Sequence, residues 1–166
     1  MLILKKPLLK SLNEPFLLVL CLPFFSHLLM KAKFKFYIKS KLLVESFHGT
    51  LKQNDLYFIN QQQSDKALFT DINKLLSDTR DVYFDLSLEE LKNYVNDLKV
   101  IMKKHPFRWG IVSNDPKSTA LSVLIKNDPF FRNKVCIYST LGAAIRFLAI
   151  DIAPENLFST DYHVVE

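Results

Sequence analysis

The chain has 166 residues, 49% of them hydrophobic and 23% charged, with a formal net charge of +5. That length suits one domain able to bury a real core, and the composition is that of an ordinary globular protein. The basic excess is scattered over helix faces and strands, so it gives no strong nucleic-acid signal.

Cys21 and Cys136 stand far apart in unlike contexts, so no disulfide framework is indicated and a reducing, cytoplasmic compartment is expected. His27, His48, His105 and His163 are equally dispersed, and no Cys or His pair has ligand spacing, so no metal site is expected. Gly49, Gly110 and Gly142 are the three glycines. They form neither a P-loop nor a G-x-G-x-x-G turn, both of which need clustered glycines for close approach to phosphate, and no cofactor is expected.

Residues 1–30 differ from the rest of the chain. Lys5, Lys6 and Lys10 precede the apolar run "PFLLVLCLPFFSHLLM" over residues 15–30. Pro23 and His27 interrupt it, and it falls short of the ~20 residues of a spanning helix. A signal peptide would need small residues before its cut, where Ser26-His27-Leu28 stand instead. The preferred expectation is a translation start at Met30. The alternative is a membrane-associated protein, a tethered sensor held through residues 15–30.

"KAKFKFYIK" then alternates, with Lys31, Lys33, Lys35 and Lys39 on one side and Phe34, Phe36 and Ile38 on the other. This predicts a strand with one buried face, its lysine row marking a solvated or edge strand. "LLVESFHGTL", residues 42–51, is its hairpin partner. Most of residues 52–69 reads as helix, with Leu56, Phe58, Ile59, Ala67 and Leu68 as the apolar members. A short third strand is expected over residues 73–77, with Asp78, Arg80 and Asp81 in the loop after it.

The clearest helix is "SLEELKNYVNDLKVIMKK", where Leu88, Leu91, Val95, Leu98 and Met102 form one stripe. Ser87 and Glu90 make a capping box, and His105-Pro106 ends the helix. Residues 109–113 are nearly all apolar, as a central strand covered on both faces would be. Asp115 is an N-cap with Pro116 in the first helical position, and the helix is expected to bury Ala120, Leu121, Leu124 and Ile125 before Asn127-Asp128-Pro129 stops it. Residues 135–138 form a fifth strand. Ser139 is the expected cap of a last helix with Leu141, Ala144, Ile145, Leu148 and Ala149 on one face. The tail, residues 152–166, lacks periodicity and is expected to pack loosely.

The order β-β-α-β-α-β-α-β-α predicts an α/β fold: a mixed five-stranded sheet, parallel in its later strands, covered by about four helices. Three blocks carry a resemblance: "NKLLSDTRDVYFDLSLEEL", "WGIVSNDPKSTALSVL" and "VCIYSTLGAAIRFLA". Together they resemble the STAS-like family of small bacterial proteins, fold relatives of anti-sigma-factor antagonists and of CRAL-TRIO lipid-binding domains. The likeness spans residues 34–150, within a domain placed at 31–151. Asp78 and Arg80 match the family's D-x-R, and Asn114, Pro116, Thr119, Ala120 and Leu121 match its second block. Gly142 departs from the third, where the family has Glu. The D-S-x-G phosphorylation element of anti-sigma-factor antagonists has no counterpart here. Ser87 is the hydroxyl nearest its place, a candidate phosphoacceptor whose role as a helix cap is already complete.

If the sheet is parallel as read, Asp78, Arg80, Ser113, Asn114, Asp115, Ser118, Thr119, Ser139 and Thr140 gather at the C-terminal rim of the strands. Open α/β sheets bind ligands or partners there. Each residue also has an ordinary structural use as a cap, an ion pair or a back-bond. No catalytic motif is found: there is no G-x-S-x-G elbow, Cys/His pair or H-E-x-x-H. The resemblance implies a non-enzymatic regulatory or interaction module, acting on an unknown protein partner or a small effector. Its alternative is a carrier of a lipid or phosphorylated small molecule.

Overall fold

The computed structural model describes residues 31–158 and 161–165, so the expectations placed on residues 1–30 lie outside the described residues. The chain order is β1 (Ala32–Tyr37), a 3-10 turn (Ile38–Ser40), β2 (Leu42–Leu51), α1 (Gln53–Ser64), a second 3-10 turn (Ala67–Asp71), β3 (Lys74–Phe84), α2 (Leu88–Lys104), β4 (Arg108–Val112), α3 (Pro116–Asn127), β5 (Val135–Tyr138), α4 (Leu141–Leu148), α5 (Pro154–Leu157) and β6 (His163–Val165). One six-stranded sheet runs β5-β4-β3-β2-β1-β6. Strands β2 to β5 are mutually parallel, and β1 is antiparallel to both of its neighbours.

The α/β class and the mixed sheet are as the sequence predicts, with one correction of count. The sixth strand comes from the tail expected to be loose. Its Val165 and the Leu157 of α5 are buried, and β6 pairs with β1 through Ala32 and Val165. The tail is held from the other side as well: the Tyr37 hydroxyl donates to the carbonyls of Asn156 and Leu157 at 2.9 and 3.0 Å. The lysine row of β1 therefore lies inside the sheet, with the ammonium groups of Lys33 and Lys35 over the Tyr162 ring at 5.2 and 5.8 Å. An apolar ring with a negative face is a good lid for stems that end in positive charge.

Strand alternation divides the core in two. Leu43, Phe47, Leu75, Trp109 and Ile111 face α1, α2 and α3; Leu42, Val44, Leu76 and Val112 face α4 and α5. Gly110 lies on the second face, where a Cβ would come within 3.1 Å of the buried Leu148 side chain. A bare backbone there lets α4 settle onto β4.

Two elements differ from their sequence reading. Strand β3 runs on to Phe84, well past the expected end at residue 77, so Asp78, Arg80 and Asp81 lie within the strand rather than in a loop. Ser46 pairs with Asp78 but His48 with Asp81, so β3 carries one extra residue, a β-bulge. The bulge reverses the parity of the strand: Leu75 and Ser77 face α1–α3 before it, Val82 and Phe84 after it. Helix α3 is turned relative to its apolar pattern. It buries Ser118, Ser122 and Ile125 and leaves Ala120, Val123 and Leu124 exposed. Hydrogen bonds make the serines acceptable there: Ser118 Oγ donates to Val82 O at 3.3 Å, and Ser122 Oγ to Ser118 O at 2.8 Å. In α1, Leu56, Ile59 and Gln63 form the buried stripe while Phe58 is exposed, and Ala67 and Leu68 belong to the 3-10 turn after it.

Candidate functional site

Register brings the C-terminal corners of the parallel strands to one border. Asp78 is level with Val112, and Val112 with Tyr138, so Ser113 and Ser139 stand side by side just beyond. Ser113, Asn114, Thr119 and Ser139 line one open groove of about 510 Å³ between α3 and β5. Asp78 and Arg80 are not part of it. The Arg80 guanidinium grips the Asp78 carboxylate at 2.9 and 2.7 Å, and the Arg80 amide, released from the ladder by the bulge, donates to it at 3.2 Å. That carboxylate holds the guanidinium above its ordinary range, so the positive charge is already spent.

Of the remaining rim residues, Asp115, Ser118 and Thr140 serve the backbone. Asp115 accepts the Ser118 N–H at 2.8 Å as the cap of α3, and this bond holds its carboxyl below the usual range. Thr119 Oγ1 is 3.1 Å from Ser113 Oγ, and Ser118 is buried on Val82. The cap of α4 is Thr140, which accepts from Ala143 N at 3.4 Å, rather than the expected Ser139. Ser87 and Glu90 close a reciprocal capping box at 3.2 and 2.8 Å.

A different arrangement lies on the α1–α3 face of the sheet. Glu45 sits in the middle of β2, on the parity of Leu43 and Phe47, and is fully buried. Its register neighbour on β3 is Ser77, whose hydroxyl donates to Oε1. Gln63, the last residue of the α1 stripe, donates to Oε2 at 2.6 Å. Trp109 on β4 donates its indole N–H to Ser77 Oγ at 2.7 Å. A chain of hydrogen bonds thus runs across three strands and one helix and ends on a carboxyl group.

Beside it is a recess enclosing about 50 Å³, walled by Phe47, Phe84, Tyr94, Trp109, Leu56 and Leu121 and floored by Glu45 and Ser77. A smaller cavity of about 30 Å³ lies beyond, sharing Glu45, Tyr94 and Trp109 with the first. Burial pushes the Glu45 carboxyl above the usual carboxylate range, against the opposing pull of its Ser77 and Gln63 donors. Burial, and next the nearby Glu45 charge, push the Tyr94 phenol up as well. Among the described residues no group of three or more His, Cys, Asp and Glu side chains gathers as metal ligands would.

Sequence reading missed this site although two local signals mark it. A carboxylate stands at a core parity of an otherwise apolar strand, "LLVESF", and Gln63 continues the Leu56, Ile59 spacing of a buried stripe. What could not be read was that the two meet.

Neither a family model nor a curated protein matches the chain. Among solved structures it is similar to that of an uncharacterized protein of the DUF3478 family with a SpoIIAA-like fold, from Shewanella loihica PV-4. The identity is 18%, over 64% of this chain and 83% of that one, with a TM-score of 0.42. Among the described residues no helix is long and apolar enough to cross a membrane.

Proposed function

We propose that the chain is a non-enzymatic, STAS-like regulatory module whose effector is a small, mostly apolar molecule held between the sheet and α1–α3. The observation that carries this reading is the half-open recess of about 50 Å³ that a buried carboxyl group helps to line. Ligand sites are concave and mainly apolar, with a few converging polar groups. Here Glu45 and Ser77 supply the polar end and four aromatic rings the wall. Helices α1, α2 and α3 all border the recess, so filling it bears on the outer surface that a protein partner would meet.

Thermal unfolding with a panel of short alcohols, alkylamines, fatty acids and phosphosugars tests the reading. A ligand at a hundredfold over its Kd raises stability by about 2.7 kcal/mol, a clear shift. Leu121→Trp, which fills the recess from α3, should remove the response. Silence from every class would sink the proposal. The groove at the rim favours a second reading, a phosphorylated ligand at Asn114 and Ser139. A phosphosugar response that survives Leu121→Trp and is lost in Asn114→Ala would move the site there.

A further inference from the structure

The geometry points to a small organic cation, an alkylammonium of roughly three to five non-hydrogen atoms, as the molecule this recess takes. The inference rests on the effector-binding reading above and names its chemistry. Glu45 is buried in the core, and among the described residues no Lys or Arg forms an ion pair with it. Its donors are neutral: the Ser77 hydroxyl and the Gln63 amide. A buried carboxylate is strongly disfavoured unless it takes up a proton or a positive charge balances it, and a bound cation would supply that balance. The recess that adjoins it is walled by Phe47, Phe84, Tyr94 and Trp109, and aromatic faces attract ammonium groups once these are desolvated.

The other charge classes fit less well. An anion would meet the Glu45 carboxylate in an apolar chamber. A neutral molecule would fill space but draw nothing from the Glu45 charge. Size sets the remaining limit: a water needs roughly 10–15 Å³ of such volume, so about 50 Å³ holds roughly three to five groups of that size. The titratable group facing Glu45 from α2 is Tyr94, whose phenol burial keeps protonated. Cation binding and ionisation of Glu45 therefore favour each other, and affinity rises with pH.

Three probes of one carbon skeleton test this on the full chain: n-propylammonium, 1-propanol and propionate. Trp109 is the chain's one tryptophan and lies in the wall, so its fluorescence reports on this site. n-Propylammonium should bind about tenfold or more tighter than 1-propanol, and Glu45→Gln should lose that advantage. Equal binding of 1-propanol overturns the cation and leaves the effector reading standing. Full n-propylammonium affinity in Glu45→Gln overturns it by placing the site elsewhere. No binding by any of the three also overturns it, while the wider panel decides the effector reading separately. Should Glu45→Gln fail to fold, Leu56→Phe, which fills the recess from α1, must abolish the fluorescence response. A response undiminished in that variant sinks the inference too.

Discussion

Glu45 is the acid at the centre of the proposed site: it receives hydrogen bonds, and among the described residues no Lys or Arg forms an ion pair with it. Burial raises its carboxyl, and that ties stability to pH. Between the ordinary carboxylate pKa and the raised folded one, the native chain holds a proton that the unfolded chain has released. Stability is therefore full at the acid side of that window and falls as pH rises through it. Melting temperatures of wild type and Glu45→Gln across this range should show the decline in the first and its loss in the second. An identical slope in both would mean that Glu45 ionises normally. Asp78 is the contrasting acid, with its counter-charge built in. Arg80→Ala strands a carboxylate that is 10% exposed, and should cost roughly 1–3 kcal/mol in urea unfolding. Adding Asp78→Asn should recover part of that loss, since the stranded charge goes with it.

At the scale of elements, helix caps and glycines show how local choices meet packing. With Thr140 as cap, Gly142 falls at the second position of α4, where a Cβ would meet nothing nearer than the Arg146 guanidinium at 3.7 Å. Gly142→Ala should therefore stabilise by about 0.5–1 kcal/mol by removing backbone entropy from the unfolded chain. Gly110→Ala should act oppositely, because its methyl group lands 3.1 Å from the wholly buried Leu148. A loss of roughly 1–3 kcal/mol is expected from such overpacking. Calorimetric melting of the two variants should give shifts of opposite sign; shifts in the same direction would refute the packing account. The far end of α4 is tied by cations: Arg108 donates to Phe147 O at 2.6 Å and Lys74 to Ala149 O at 3.0 Å. Positive charge at a helix C-terminus is favourable, and both bonds run from the sheet.

For the whole molecule, the tail is the piece that completes the sheet. Leu157 closes the core on the α4 face and Val165 the one opposite. Ending the chain at Ala153 removes both, at about 1.5–3 kcal/mol per buried side chain, or roughly 3–6 kcal/mol together. It also uncovers β1 as an edge strand, leaving its lysines as the remaining guard against pairing with other chains. Urea unfolding of the shortened chain should show that loss, and unchanged stability would mean the tail packs as loosely as its composition suggests.

The distance along the chain between the deciding residues governs how much of this was legible. The capping box of α2, the Asp115 cap, the stripe of α2 from Leu91 to Met102 and the alternation of β1 up to Tyr37 each involve neighbours within a few positions, while Leu88 and Ile38, expected on those buried faces, are exposed. Their geometry is imposed by backbone periodicity, so they hold in almost any fold. The bulge at Asp78–Arg80 was not legible, because a polar run looks the same in a loop as in a strand kept in place by pairing with β2. Nor was the turn of α3, since Ser118 becomes a core residue only when Val82 supplies an acceptor. The site itself depends on segments far apart in the chain. Glu45, Gln63, Ser77 and Trp109 are ordinary one at a time, and only the parallel register of β2, β3 and β4 with α1 packed above them brings donors to a buried acid. Short-range sterics and capping write the elements; the demand that every buried polar group find a partner is met between elements, and that is where this protein's chemistry was made.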